Sequence, residues 1–377
     1  MATQRITDFL ATRRPSGPCL VVDLEVVREN FIGFRRALPG SAIYYAVKAN
    51  PAPEILRLLA SLGSSFDCAS VAEVEMAMNA GATADRISYG NTIKKERDIA
   101  SAHALGVSLF AVDCVEEVEK VARAAPGARV FCRVLTDGAG AEWPLSRKFG
   151  CVPAMAIDVL ETAHRLGLQA TGVSFHVGSQ QTDTEAWDGA LADAANVFNT
   201  LAERGIVLTL VNMGGGFPTR YLKDVPTAEA YGQSIFAALS RHFGNRLPET
   251  IIEPGRGMVG DAGVIKAEVV LVSRKSATDE NRWVYLDIGK FGGLAETMDE
   301  AIRYPIVTAR DADRKEPCVL AGPTCDSADV MYEKVPYPLP ITLTVGDEVL
   351  IEGTGAYTTT YASVAFNGFE PLRAYVI

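Results

Sequence analysis

Clustered positive charge is missing from this chain. Lys and Arg number 36 against 46 Asp and Glu, for a formal net charge of −10, and no basic block breaks the pattern. That balance argues against a nucleic-acid or anionic-membrane surface and favours a small cationic ligand. No apolar run reaches membrane-spanning length, and the polar stretch Met1 to Pro18 has no apolar core of a secretory signal. The 7 cysteines (Cys19, Cys68, Cys114, Cys132, Cys151, Cys318 and Cys325) lie far apart, with no C-x-x-C pair and no metal-ligand spacing. Most fall within expected strands, where a reduced cysteine is a small hydrophobe. Histidine is scarcer still, with 4 residues in 377, and no metal site is expected. The expectation is a reduced, cytoplasmic protein without metal.

What is present is ordinary globular composition, 48% apolar and 22% charged, at a length that allows two domains or one large barrel with an addition. From Ser41 onward, strand and helix patterns alternate. Strands are expected at Ser41–Val47, Ser65–Cys68, Arg86–Tyr89, Ser108–Val112, Arg129–Leu135, Gly172–Val177, Val207–Met213 and Thr250–Glu253. Helices are expected between them, among them Glu54–Leu62, Val71–Asn79, Ile93–Leu105, Val115–Ala124, Pro153–Leu166, Glu185–Glu203 and Ala228–His242. This series predicts an α/β fold, a closed (β/α)8 TIM-like barrel over residues 25–262. From Gly263 to Ile377 short β-prone segments punctuated by Gly and Pro predict a second, all-β C-terminal domain. Residues 1–24, with the apolar run Cys19–Val22, are expected to pair with it.

In a parallel barrel the chemistry lies at the carboxyl ends of the strands. Read in order, those ends carry Lys48, Asp67, Tyr89-Gly90-Asn91, Asp113, Arg133, His176, Gly214-Gly215-Gly216 and Glu253. Lys48 follows a buried strand, and apolar surroundings would lower its pKa and free the amine as a nucleophile. The plainer alternative is a lysine that snorkels to solvent. Consecutive glycines turn backbone N–H groups toward one anion, as phosphate cradles do, although they also make simple tight turns. Gly255-Arg256 after Glu253 offers a second such loop. His176 lies in an apolar strand with no ligand-spaced partner, which suits a flat stacking role or a satisfied core residue. Glu253 is either an ion-pair partner of Arg256 or a carboxylate able to keep a pyridine nitrogen protonated.

In the β region, Cys325 in Gly322-Pro323-Thr324-Cys325-Asp326-Ser327 has a polar setting that suits a reactive thiol. Tyr357 sits in a further glycine-rich loop, Gly353 to Tyr357. The aperiodic stretch Thr136–Gly150, with Gly138, Gly140 and Pro144, is expected to be a lid or a disordered insertion.

Taken together, these residues resemble the barrel-type (fold type III) pyridoxal-phosphate amino acid decarboxylases, the family of ornithine, arginine and diaminopimelate decarboxylases. The likeness runs from about Pro18 to Val376, with the motifs in the family's order, and Tyr45-Ala46-Val47-Lys48-Ala49-Asn50 looks like its cofactor-lysine motif. The resemblance implies pyridoxal 5'-phosphate on Lys48, His176 stacked on its ring, and Glu253 on the ring nitrogen. Its phosphate would be held by Gly214, Gly215, Gly216, Gly255, Arg256 and Ser179, with a hydroxyl from Tyr357. Asp67, Glu73 and Arg133 match positions near the lysine and ring. Cys325-Asp326 resembles the segment that reaches the partner's site in an obligate homodimer. Asp326 after the cysteine suits a simple distal ammonium. Decarboxylation of L-ornithine to putrescine is therefore the expectation, with L-lysine as a further substrate. Alternatives are a lysine, arginine or diaminopimelate decarboxylase, a racemase, and a non-catalytic regulatory homologue. Asp299-Glu300 stands where eukaryotic-type ornithine enzymes carry Tyr-Asp for the distal amine, and Gln180-Gln181 replaces Gly-Cys after Ser179.

Overall fold

Residues 2–143 and 148–377 are described by a computed structural model of the chain. Eight parallel strands close into a barrel in chain order. They are Ser41–Ala46, Ser65–Cys68, Ile87–Tyr89, Leu109–Val112, Arg129–Arg133, Gln169–Ser174, Leu210–Asn212 and Glu249–Ile252. The eighth strand pairs with the first, Thr250 opposite Ser41 and Ile252 opposite Ile43. Strands covered on both faces should be apolar throughout. Leu109–Val112 (LFAV) is buried at every position. Tyr44, Leu109, Ala111, Phe131, Leu210 and Ile251, from five of these strands, form one buried apolar cluster.

The surrounding helices follow local signals. Pro53 sits in the first turn of Pro53–Ser61, which buries Ile55, Leu56, Leu58 and Leu59. Ser70 caps Val71–Asn79 by accepting from the Glu73 N–H at 3.2 Å. The helix expected from Ile93 begins only at Glu96. The preceding irregular turn is fastened by the buried Lys94, whose Nζ donates to Asn91 O at 2.8 Å and Ala111 O at 2.6 Å. Lys94 also pairs with the buried Glu117 at 3.0 Å, and Lys120 shares that carboxylate. The fifth strand stops at Arg133 and the sixth at Ser174, earlier than their apolar patterns imply. Part of the Thr136–Gly150 stretch is ordered as Ala141–Trp143, antiparallel to Ser179–Gln181. Residues 144–147 of the expected lid, Pro144 included, lie outside the described residues.

Two compact units emerge. The barrel unit is Arg28–Pro218 with Val225–Met258, and the other is Met1–Val27, Thr219–Asp224 and Val259–Ile377. The second unit holds a nine-stranded sheet. Its long strand Gly263–Ser273 pairs with Cys19–Val22 on one side and Glu348–Glu352 on the other. Cys19–Val22 in turn runs parallel to Arg373–Val376, so both ends of the chain join one sheet. The polar amino terminus carries no element in the sequence pattern. It forms a helix, Gln4–Arg13, capped by Thr3 and buried through Ile6 against Cys19, Val21 and Val264. Segment Thr219–Asp224 joins this unit through Tyr221, whose ring meets Tyr304 edge-on at 5.4 Å. Among the described residues no helix is long and apolar enough to cross a membrane.

Candidate functional site

The barrel's strand ends converge chemically. Lys48 lies in a short 3-10 turn, Val47–Ala49, directly after the first strand. The turn is fixed by the Tyr45 hydroxyl, which donates to Asn50 O at 2.9 Å, and by Asn50 Oδ1, which accepts from the Ala52 N–H at 3.2 Å. The apolar surroundings expected for Lys48 are not found. Its side chain is exposed, and its electrostatic neighbours are Asp67, Glu73 and His176. Strand-end geometry delivers the ammonium past the apolar layer into a charged mouth.

Asp67, at the second strand, is buried. Burial, and then the nearby Glu253, push its carboxyl well above the usual range, while Lys48 and Arg133 pull the other way. Its Oδ1 has no hydrogen-bond partner among the described residues. Burial also raises Glu73, whose Oε2 accepts from the Ala69 N–H at 2.6 Å. Arg133 ends the fifth strand. Burial lowers its guanidinium against the support of Glu253, Asp67 and Asp113.

His176 follows the sixth strand. Burial, then Arg133 and Lys48, hold its ring well below the usual histidine range, so it is neutral at physiological pH. Nδ1 accepts from the Gly178 N–H at 3.0 Å, which leaves the ring proton on Nε2. A neutral, flat ring in a site with Lys48 and Arg133 can stack without adding a third positive charge.

Gly214-Gly215-Gly216 leaves the seventh strand with φ of +64° at Gly214 and +108° at Gly216. Any side chain there would collide with backbone: a Cβ at Gly214 would sit 2.1 Å from Phe175 O, and one at Gly216 2.6 Å from Gly178 O. A Cβ at Gly215 would meet Glu253 O at 2.7 Å and His176 Nε2 at 3.4 Å. The loop is therefore packed against both residues that sequence reasoning assigns to a pyridine ring. Glu253 leaves the eighth strand, its N–H donating to Gly214 O at 2.8 Å. Gly255 leads into the short helix that begins at the buried Arg256, whose Nε and Nη2 point to Ser179 Oγ at 3.4 and 3.2 Å. Glu253 accepts from Asn212 Nδ2. This fully buried asparagine was missed by sequence reasoning, although a lone amide at the end of the apolar run Leu210-Val211 is a visible anomaly.

The remaining candidates lie in the sheet unit. Tyr357 is half-buried at φ +56°, its ring 5.8 Å from that of Tyr361. Cys325 is exposed, its N–H donating to Asn367 Oδ1 at 3.0 Å. Asp326 is exposed, its Oδ1 accepting from the Ala328 N–H at 2.8 Å. The buried Asp329, also missed, ties this loop down by accepting from Thr324 Oγ1 at 2.7 Å and the Lys290 N–H at 2.8 Å. Asp299 (φ +53°) is exposed beside Lys334 Nζ at 3.3 Å. Glu300 is committed differently from a free substrate carboxylate: it accepts from Arg303 Nη1 at 2.8 Å and from the Val335 N–H at 3.2 Å.

The barrel residues fit pyridoxal phosphate. They offer a primary amine, a neutral stacking ring, a carboxylate held by the buried Asn212, a glycine cradle with an adjacent arginine, and an acid oxygen on Asp67 without a partner among the described residues.

Comparison with known proteins agrees. Residues 24–260 match the family described as "Pyridoxal-dependent decarboxylase, pyridoxal binding domain". Lysine/ornithine decarboxylase of Selenomonas ruminantium is 37% identical over 365 residues, covering 96% of this chain and 89% of its own. Antizyme inhibitor 2 of Xenopus laevis is 36% identical over 363 residues, covering 93% and 78%. The solved structure of lysine/ornithine decarboxylase complexed with cadaverine from Vibrio vulnificus has a TM-score of 0.89 at 31% identity, with 100% of both chains covered. Fold, site chemistry and kinship over nearly the full length converge, and the chain belongs to the pyridoxal-dependent decarboxylases.

Proposed function

We propose that the protein removes the α-carboxylate of a basic amino acid, L-ornithine first, releasing carbon dioxide and putrescine. L-Lysine is the second substrate on this reading. What carries it is the joint presence of Lys48, the neutral His176 and the Asn212-bound Glu253 around one glycine cradle. A relative that has kept the fold for another task, as the name antizyme inhibitor suggests, has no need of that complete set.

Bound pyridoxal phosphate supplies an electron-withdrawing ring that accepts the electron pair left when carbon dioxide departs. The chain's own groups do the rest. Lys48 would be the attachment point, and Gly214 to Gly216, Gly255, Arg256 and Ser179 would hold the phosphate, with Tyr357 offering a hydroxyl. His176 would stack on the ring, neutral and flat. Glu253 would pair with the ring nitrogen. Asp67, Glu73 and Arg133 surround the amine, and the raised carboxyls of Asp67 and Glu73 limit the negative charge near the departing carboxylate.

The protein acts as a homodimer in which Cys325 and Asp326 of one protomer serve the barrel of its partner. The Cys325 thiol gives its proton to the α-carbon, taking the place of the lost carboxyl, and the thiolate regains a proton from water. Asp326 pairs with the distal ammonium, with Asp299 as a further acid along the side chain; Glu300, held by Arg303 and the Val335 N–H, supports that loop instead. Ornithine and lysine differ by one methylene, worth only about 1–3 kcal/mol of discrimination. The names of the Selenomonas and Vibrio relatives, both lysine/ornithine decarboxylases, support the dual reading.

The test is carbon dioxide release by the pyridoxal-phosphate-loaded protein from ornithine, lysine, arginine and meso-diaminopimelate, each alone. Release from ornithine, with or without lysine, upholds the proposal. Release from diaminopimelate or arginine alone would replace the substrate, and silence on all four with cofactor bound would favour a regulatory role.

A further inference from the structure

Asn212 is 0% exposed at the end of the seventh barrel strand, and both ends of its amide are spoken for. Oδ1 accepts from the Gly214 N–H at 3.0 Å. The other end must then be the NH2, and it donates to Glu253 Oε1. The network fixes the amide's orientation. Glu253 closes the loop by donating its own N–H to Gly214 O at 2.8 Å. One buried side chain therefore joins the carboxylate to the first residue of the glycine cradle.

The neighbours give this contact a second consequence. Facing Glu253 are Asp67, itself an acid, and Arg133; Lys48 lies next to Asp67, and Asp113 next to Arg133. Asp67 is the buried one of the two acids, and burial and then Glu253 raise its carboxyl well above the usual range. A hydrogen-bond donor on a carboxylate oxygen fixes the direction in which that carboxylate points. The Asn212 amide is such a donor, and it acts on Glu253 alone. Asp67 Oδ1, by contrast, has no hydrogen-bond partner among the described residues.

We infer that Asn212 is a positioning residue that holds the Glu253 carboxyl aimed at the cofactor's ring nitrogen, in fixed register with the phosphate cradle. This rests on the reading above that Glu253 meets that nitrogen. Replacing the amide by a carboxylate of the same shape separates the two duties. Asn212→Asp keeps an acceptor for the Gly214 N–H and removes the donor to Glu253.

The probes are pyridoxal phosphate and its carbocyclic analogue with CH in place of the ring nitrogen, titrated into the apoprotein by absorbance and fluorescence. Each ratio of dissociation constants comes from one protein sample, so a partly unfolded variant lowers capacity and leaves the ratio intact. Asn212→Asp should weaken pyridoxal phosphate about ten-fold or more relative to the analogue, the scale of one hydrogen bond to a charged group. Asn212→Ala should shift the ratio the same way by less, because it adds no charge. Glu253→Gln should shift it as Asn212→Asp does, and the double variant should shift it no further. If Glu253→Gln shifts the ratio and both Asn212 variants leave it alone, the inference on Asn212 is wrong while the role of Glu253 stands. If Glu253→Gln leaves the ratio unchanged, the role of Glu253 fails and the inference falls with it.

Discussion

Asp67 Oδ1 occupies the space in which a side chain on Gly90 would begin: a Cβ built there would lie 1.8 Å from that oxygen. Glycine follows the third strand directly, and the acid of the second sits buried beside it. Gly90→Ala should therefore push the Asp67 carboxyl out of place at a cost of about 1–3 kcal/mol, the usual penalty for overpacking. Thermal melts would show it. Adding Asp67→Ala should recover most of the loss, since the clash is with that side chain. A double variant as unstable as Gly90→Ala would show that the strain lies in the backbone instead.

The buried Asp67 also sets a pH dependence. Its carboxyl is raised above the range of an unfolded aspartate, so between the unfolded value of about 4 and the higher native value the native state keeps a proton that the unfolded chain has lost. Stability from this group is intact below pH ~4 and declines as pH rises toward the native value. Asp67→Asn abolishes the titration. Melts of both apoproteins across pH should show the variant gaining on the parent from about pH 4 upward. A constant difference would mean that Asp67 ionises as readily in the native state as in the unfolded one.

Lys94 and Glu117 form a buried pair beneath the third and fourth strand ends, and burial lowers the Lys94 ammonium to about 8 despite the support of Glu117. Glu117→Gln strands that cation and should cost about 3–5 kcal/mol. Lys94 can escape by losing its proton, which becomes easier as pH rises toward its unfolded value of about 10.4. The penalty, read from urea midpoints, should accordingly shrink between pH 6 and pH 9. A loss independent of pH would assign the damage to packing or to Lys120.

Shared sites can be tested by mixing. Lys48→Ala should abolish the visible absorbance of covalently held cofactor together with activity, and Cys325→Ala should slow product formation while the absorbance stays. Refolding the two inactive variants together should restore about a quarter of wild-type activity, because half of the dimers are mixed and each has one whole site of two. Activity that stays at the level of the separate variants would place both residues of a site in one protomer.

The barrel was legible because each of its elements is written locally. Apolar strands such as Leu109–Val112 and the proline- or serine-started helices at Pro53 and Val71 need little beyond their own neighbours. Lys48, His176, the three glycines and Glu253 stood out because strand ends in such a barrel face one mouth, so order along the chain becomes position in space. Those features the amino-acid sequence by itself determined.

Tertiary structure decided the rest, because it depends on contacts distant in sequence. Whether Lys48 sits in apolar surroundings or in a charged mouth is set by Asp67, Glu73 and His176, which no local pattern brings together. Asn212 reads as one more residue of a strand until the fold places Glu253 against its amide. Glu300 looked free to meet a substrate until Arg303 and the backbone near Val335 were found on its carboxylate. Sequence supplies side chains and their order. Desolvation and hydrogen-bond partners exist only once distant strands have met, and they fix which acids hold protons and which amides hold acids.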